Sequence, residues 1–301
     1  MNGFAIDDLN PLHCHPLAML KLSELFLRRS SRWVYPLLSV FVALSVWVGQ
    51  PLLVRAFSLG DLIRIIPSGI QVIQLAKLSD QQEVAIGKQM NEQTITRRFR
   101  LYRGAELNQY VNQIGQRLAA QSERTQIPYT YQIVEDKSVN AFATMGGFVY
   151  ITTGLMQAAD NEAQLASVLG HETGHIVRRH LVNQLKEEAT LRGAATLAKV
   201  NNNTIINLGT TLALSRPHSR NAEFEADQSG LNMLGRAGYA QSAAPAFMSK
   251  LLRQSSTPTF LSTHPATSDR VARLKQSIDP AMENGAGLDT VAYKARLRSL
   301  S

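Results

Sequence analysis

His171-Glu172-Thr173-Gly174-His175 is the stretch on which the reading of this chain turns. Leu165, Val168, Leu169 and Ile176 flank it at helical spacing, so the five residues are expected inside a helix. Residues i and i+4 project from one helical face, a turn apart. The imidazoles of His171 and His175 can therefore share one Zn²⁺. Glu172, beside them, can take a proton from a water that the metal activates. Average composition gives this string by chance about one time in a hundred in a chain of this length, so its surroundings must decide. The plain alternative is an ordinary helix with two exposed histidines.

The surroundings favour the metal. Asp160 or Asn161 can cap the helix, and Gln164 stands three residues after Asn161, as in a capping box. Gly174 costs the helix about 1 kcal/mol relative to Ala, yet a small residue between two ligands suits close packing. A catalytic zinc site needs a third protein ligand. Downstream, Ser219 to Asp227 reads Ser-Arg-Asn-Ala-Glu-Phe-Glu-Ala-Asp. Glu223 and Asp227 are i and i+4 and share a face, while Glu225 points elsewhere. Glu223 can complete a His/His/Glu set, and Asp227 can accept the N–H of a ligand histidine and fix its tautomer. Arg220, one turn before Glu223, can steady that carboxylate or a reacting oxyanion. Without the upstream motif, the same stretch would read as a solvated acidic face.

Together these residues resemble the HtpX/BepA-like gluzincins, zinc metallopeptidases of family forty-eight and relatives of the CAAX prenyl endopeptidases. The resemblance continues on both sides. Asn140 to Ala143 and Gly146 to Leu155 look like the family's strand before the zinc helix. Thr263-His264-Pro265, followed by Arg270, looks like its Thr-His-Pro motif, and Ser79-Asp80 through Gln89 like its opening helix. The likeness covers about residues 79–279. It implies His171, His175 and Glu223 as ligands of one Zn²⁺ per subunit, Glu172 as general base and Asp227 as the partner of a ligand histidine. It also implies that His264 lies near the metal, either polarising the peptide carbonyl or filling the open metal position and holding the enzyme latent. The pattern departs at Met145, where the family places Pro; this is expected to loosen the turn entering the strand.

The implied fold is α+β and mostly helical: a gluzincin-type domain with a small sheet beside the HExxH helix, plus an N-terminal membrane anchor. Val34 to Val48 is almost continuously apolar, follows Lys21, Arg28, Arg29 and Arg32, and resumes after Pro51 to about Phe57. It lies between a signal peptide and a full span in length. The run continues past the candidate cleavage site Ala43-Leu44-Ser45, which favours an uncleaved anchor. The positive flank then stays in the cytoplasm and the rest is extracytoplasmic. The expected organisation is a cytoplasmic tail over 1–33 and an anchor or signal sequence over 34–57. A juxtamembrane amphipathic segment over 58–78, a peptidase domain over 79–279 and a peripheral tail over 280–301 follow. Met19 is a second candidate start.

The 301 residues, 45% of them hydrophobic, suffice for one domain with accessory segments. The formal charge of +8 is scattered. No nucleic-acid motif accompanies it, so solubility and attraction to anionic lipid are the plainer readings. The single cysteine, Cys14, excludes an intrachain disulfide framework.

Helices are expected over about 79–96, 105–122, 221–236, 242–254 and 267–277, and strands over 128–135, 139–143 and 148–152. Residues 255–265 read as loop. Asn201 to Asn203 read as a break or mobile loop near the site, able to act as a lid or plug. His180, five residues after His175, is expected to face away, and His180, His218, His13 and His15 are read as structural; Tyr239 is a further candidate oxyanion donor. The activity implied by the resemblance is hydrolysis of peptide bonds in unfolded or misassembled envelope proteins at a membrane. The alternative is a latent zinc-bearing chaperone or adaptor that holds clients without cleaving them.

Overall fold

The computed structural model describes residues 77–191, 202–265 and 267–300. The expected tail, anchor and nearly all of the juxtamembrane segment lie outside the described residues, as do Met19, Cys14, His13, His15 and Asn201. Among the described residues no helix is long and apolar enough to cross a membrane.

Helix α1, Asp80–Met90, starts where the sequence marks it. Ser79 Oγ accepts from the Gln82 amide and Gln82 Oε1 from the Ser79 amide, a complete capping box. A π-helical segment, Asn91–Ile95, carries the chain on to Arg98. Helix α2, Ala105–Ala119, buries Leu107, Tyr110, Val111, Ile114 and Leu118 along one stripe, the i/i+3/i+4 pattern of an amphipathic helix.

The sheet has three strands, β1 Thr130–Val134, β2 Ala141–Ala143 and β3 Phe148–Thr152, in the order β1-β3-β2. β1 runs parallel to β3, with Tyr131 opposite Val149, and β2 runs antiparallel to β3, with Phe142 opposite Tyr150. β2 is therefore an edge strand. The turn entering β3 is formed with Met145 in it: Gly146 and Gly147 take the positive φ values of 71° and 96°, and the Met145 side chain is buried against Met90 and Leu181. A short helix, α3 (Thr153–Ala158), follows β3.

Helix α4, Glu162–Val177, carries the His-Glu-x-x-His residues, and all of its positions from Ala163 to Val177 are buried. Asn161 caps it, accepting from the Gln164 amide; Gln164 returns its side-chain oxygen to the Asp160 amide, one residue earlier than a capping box requires. Helix α7, Arg220–Arg236, lies directly against α4. The approach is close enough to require glycine: a Cβ at Gly174 would stand 2.7 Å from the Ala226 carbonyl oxygen, and one at Gly230 would stand 2.8 Å from the His171 nitrogen. This contact brings Glu223 and Asp227 to the two motif histidines.

The chain reverses after α4. Arg179, a non-glycine residue at φ 59°, turns it into α5, His180–Leu191. Helix α6, Asn202–Ser215, packs Ile206, Leu212 and Ala213 on Leu181, Leu185 and Met90. Asn202 and Asn203 thus lie in a helix, while residues 192–201, where a break before it would fall, lie outside the described residues.

Helices α8 (Ala243–Leu252), α9 (Thr259–Thr263), α10 (Ser268–Gln276) and α11 (Thr290–Arg296) complete the described body. α9 occupies the stretch expected as loop. The C-terminal tail is not peripheral. Tyr293 and Leu297 are buried in the main core, the Tyr293 hydroxyl donates to the Met156 carbonyl, and the Gly287 carbonyl accepts the Ala163 amide in the first turn of α4. The tail thereby satisfies an end group that a helix leaves unpaired.

Candidate metal centre

The site is assembled from three directions. α4 supplies His171, Glu172 and His175. α7 supplies Glu223 and Asp227, one turn apart. The segment after α9 supplies His264, which is held in place by backbone bonds: the Phe260 amide donates to the Val139 carbonyl, the His264 amide to Phe260, and the His218 amide to Thr263. The Phe260 ring stacks on His264 at a centroid distance of 4.6 Å.

One donor atom from each of His171, His175, Glu223 and His264 lies within 4.8 Å of the others, and all four residues are buried. His171 Nε2 stands 3.0 Å from His175 Nε2 and 3.5 Å from Glu223 Oε2, and His175 Nε2 stands 3.5 Å from Glu223 Oε1. His264 Nδ1 is 3.3 Å from His171 Nε2 and 3.2 Å from Glu223 Oε1. Donors at zinc bonding distances of 2.0–2.1 Å on a tetrahedron stand about 3.3 Å apart. The residues present therefore fit a tetrahedral zinc ion in both chemistry and spacing. Glu172 adds a second sign: both its carboxylate oxygens are buried without a hydrogen-bond partner, and His264 Nε2 lies 3.4 Å from Oε1. Such groups are costly to bury unless something else in the working site meets them.

Burial and the neighbouring charges shift the side chains of the site in different directions. Burial pushes the Glu172 carboxyl above its ordinary value, against the pull of His264 and His171, as suits a base that must hold a proton in turn. Burial, reinforced by His218 and the other nearby histidines, holds His175 well below its usual value, neutral and free to donate a lone pair. Burial opposes ionisation of Glu223, but His264 and His171 outweigh it and hold the carboxylate well below the usual range. For His171 burial opposes the charged form, while Asp227 and Glu223 overcome it and lift the ring to about 9. His171 Nδ1 lies 2.9 Å from Asp227 Oδ1, the separation expected of a carboxylate behind a ligand histidine.

Arg220 does not join the site. Its side chain is 68% exposed, and its nearest acid is Asp269 at 3.9 Å. Arg270 does what Arg220 was expected to do. Its side chain is 1% exposed; Nε and Nη2 donate to the two Asp227 oxygens at 2.7 Å each, and Nη1 lies 2.5 Å from Glu223 Oε2. One guanidinium thus forks onto Asp227 and forms an ion pair with Glu223. Its place in sequence, at the start of a helix just past Thr263-His264-Pro265, was visible, but nothing in the spacing tied it to Asp227.

Two histidines read as structural also lie here. His180 Nδ1 is 2.8 Å from His175 Nδ1, and the His218 ring stacks on His175 at 4.0 Å and 27°. A continuous helix would have sent His180 elsewhere; the turn at Arg179 returns it, and no glycine or asparagine marks that turn. Tyr239 lies apart: its hydroxyl donates to Glu162 at the start of α4.

Residues 105–278 match the Peptidase family M48 model. The chain is 33% identical over 214 residues to the beta-barrel assembly-enhancing protease of Yersinia pestis, covering 65% of this chain and 44% of that one. It is 34% identical over 183 residues to the protein of the same name from Escherichia coli K12, covering 55% and 38%. It is 34% identical over 164 residues to the mitochondrial metalloendopeptidase OMA1 of Arabidopsis thaliana, covering 53% and 33%. The chain thus spans less than half the length of each of these relatives.

Proposed function

The chain belongs to peptidase family M48, and from that premise we propose that it is a zinc metalloendopeptidase. The observation that carries the proposal is the buried set His171, His175 and Glu223 at tetrahedral spacing, with the unpartnered Glu172 carboxylate beside it. Zinc held there supplies a Lewis acid that polarises a peptide carbonyl and makes a water acidic. Glu172 takes the proton of the attacking water and returns it to the leaving amine. Asp227 holds His171 in one tautomer, and Arg270 holds Asp227 and Glu223. His264 sits between Glu172 and Glu223, where it can bind the substrate carbonyl oxygen or, before substrate arrives, fill the fourth metal position. The second role would make the enzyme latent.

The edge strand β2 is the surface proposed to hold an extended peptide by backbone pairing and present its scissile bond to the metal. The substrates proposed are unfolded or misassembled proteins of the cell envelope, in line with the names of the bacterial relatives. Residues 34–57 are proposed to anchor the chain, with the peptidase domain outside the cytoplasm, and the net positive charge to favour anionic lipid.

The test is degradation of an unfolded protein such as casein by the purified chain, beside Glu172→Gln, with bound zinc assayed in both. Zinc-dependent cleavage lost in the variant supports the peptidase and its base together. Full zinc with no cleavage by either protein favours the latent or client-holding reading, and His264→Ala is then the variant that separates those two. Absence of zinc overturns the proposal.

A further inference from the structure

The two motif histidines are held from behind in different ways. His171 meets a carboxylate directly, Asp227 Oδ1 at 2.9 Å. His175 meets another imidazole: its Nδ1 is 2.8 Å from His180 Nδ1, and His180 Nε2 is 3.1 Å from Glu225 Oε2. The pattern of protons along these three residues follows from which nitrogen of His175 faces the metal. If His175 uses Nε2 toward the metal, its proton sits on Nδ1 and is donated to His180 Nδ1. His180 then carries its own proton on Nε2, where Glu225 accepts it. A single tautomer of each ring satisfies every contact.

We infer that His180 is a positioning residue for His175, fixing its tautomer and ring orientation toward the metal, with Glu225 as the terminal acceptor. The inference rests on the metal centre proposed above. The surroundings are built for it. His180 is buried, whereas Glu225 is 59% exposed in a polar cavity of about 310 Å³ that also contacts His218 and Gln184. His218 stacks on the His175 face, so the ring is held on its edge and on its plane. The turn that delivers His180 is clamped: Arg179 Nε lies 3.2 Å from Glu83 Oε2, Arg179 Nη2 donates to the Leu78 carbonyl, and Arg124 Nη1 donates to the Ile176 carbonyl at 2.8 Å. A left-handed conformation is unfavourable at a non-glycine residue, and here it stands at Arg179, the point that places His180.

The experiment uses the full chain. Zinc affinity is measured by competition with a chelator of known affinity, and the visible spectrum of the Co²⁺-substituted protein reports the geometry at the metal. His180→Ala is expected to weaken zinc binding about 10- to 100-fold and to change the cobalt spectrum. Glu225→Ala, at an exposed position, is expected to weaken it less and in the same direction. His180→Asn, whose amide can still accept from His175, is expected to recover part of the loss. Should His180→Ala fail to fold, Glu225→Ala decides. Wild-type affinity and an unchanged cobalt spectrum in His180→Ala, or in Glu225→Ala where that variant decides, overturn the inference and leave the zinc centre standing. A wild-type chain that binds no zinc overturns both.

Discussion

The α4–α7 contact and the turn from α4 into α5 flank the same two histidines and are built on opposite principles. Along α4–α7 the parts are regular helices, brought close by Gly174 and Gly230, and each functional side chain follows from i/i+4 spacing. At the turn the parts are irregular: a left-handed Arg179, a histidine returned by the reversal, and a clamp from Leu78, Glu83 and Arg124, far upstream in the chain. The difference teaches that one site can be specified locally on one side and only by tertiary packing on the other. The first side sets which atoms meet the metal; the second sets how one of them is turned.

The largest expected effect lies on the regular side. Glu172→Gln should lower kcat by about 10²- to 10⁴-fold with zinc content unchanged, read by casein cleavage and metal analysis. Loss of metal in that variant would show that Glu172 acts as a ligand. Next comes the fork that ties α7 to α10. Arg270→Ala leaves Asp227 and Glu223 buried without their cation and should cost about 3–5 kcal/mol in metal-free denaturant unfolding. A cost below about 1 kcal/mol would mean that the two carboxylates find other partners. Gly174→Ala sharpens the comparison further. Helix propensity alone favours Ala by about 1 kcal/mol, but the 2.7 Å approach to the Ala226 carbonyl should make the net change destabilising by about 1–3 kcal/mol. A stabilised variant would show that the two helices can move apart.

Smaller effects are expected at the edges. Asp160, at the start of α4, is held below its ordinary value by Lys250 despite some opposing burial. A depressed carboxylate contributes stability above its unfolded value of 3.8 that is lost as pH falls through the lower folded value. Asp160→Asn should therefore flatten the acid limb of a stability-against-pH curve below about pH 4, and only slightly, since both partners are partly exposed. Arg220→Ala should change stability by no more than about 0.5 kcal/mol and leave cleavage unchanged. A large loss of activity there would restore the oxyanion role that its position argues against.

What was legible in the sequence follows the same division. The Ser79 cap, the Asn161 cap, the span of β3 and the pairing of Glu223 and Asp227 on one face were all readable, because each depends on residues within a turn or two. The sheet order was not, since β1 pairs with β3 and skips β2, its neighbour in sequence, a choice made by tertiary packing such as that of β1 on α2. Arg270 was legible as a motif neighbour and not as the partner of Asp227, because the two meet only when α10 docks on α7. His180 was misplaced because the reversal before it uses arginine where glycine is the usual signal. The C-terminal tail reads as peripheral, yet Gly287 closes the first turn of α4 and Tyr293 fills the core behind it.

The most direct test of the central claim is X-ray absorption at the zinc edge of the zinc-loaded chain, beside Glu223→Ala. The expected result is a first shell of only nitrogen and oxygen, at about 2.0–2.2 Å, with imidazole scattering behind it and one oxygen donor fewer in the variant. A shell without imidazole, or one identical in both proteins, would contradict a centre built from His171, His175 and Glu223.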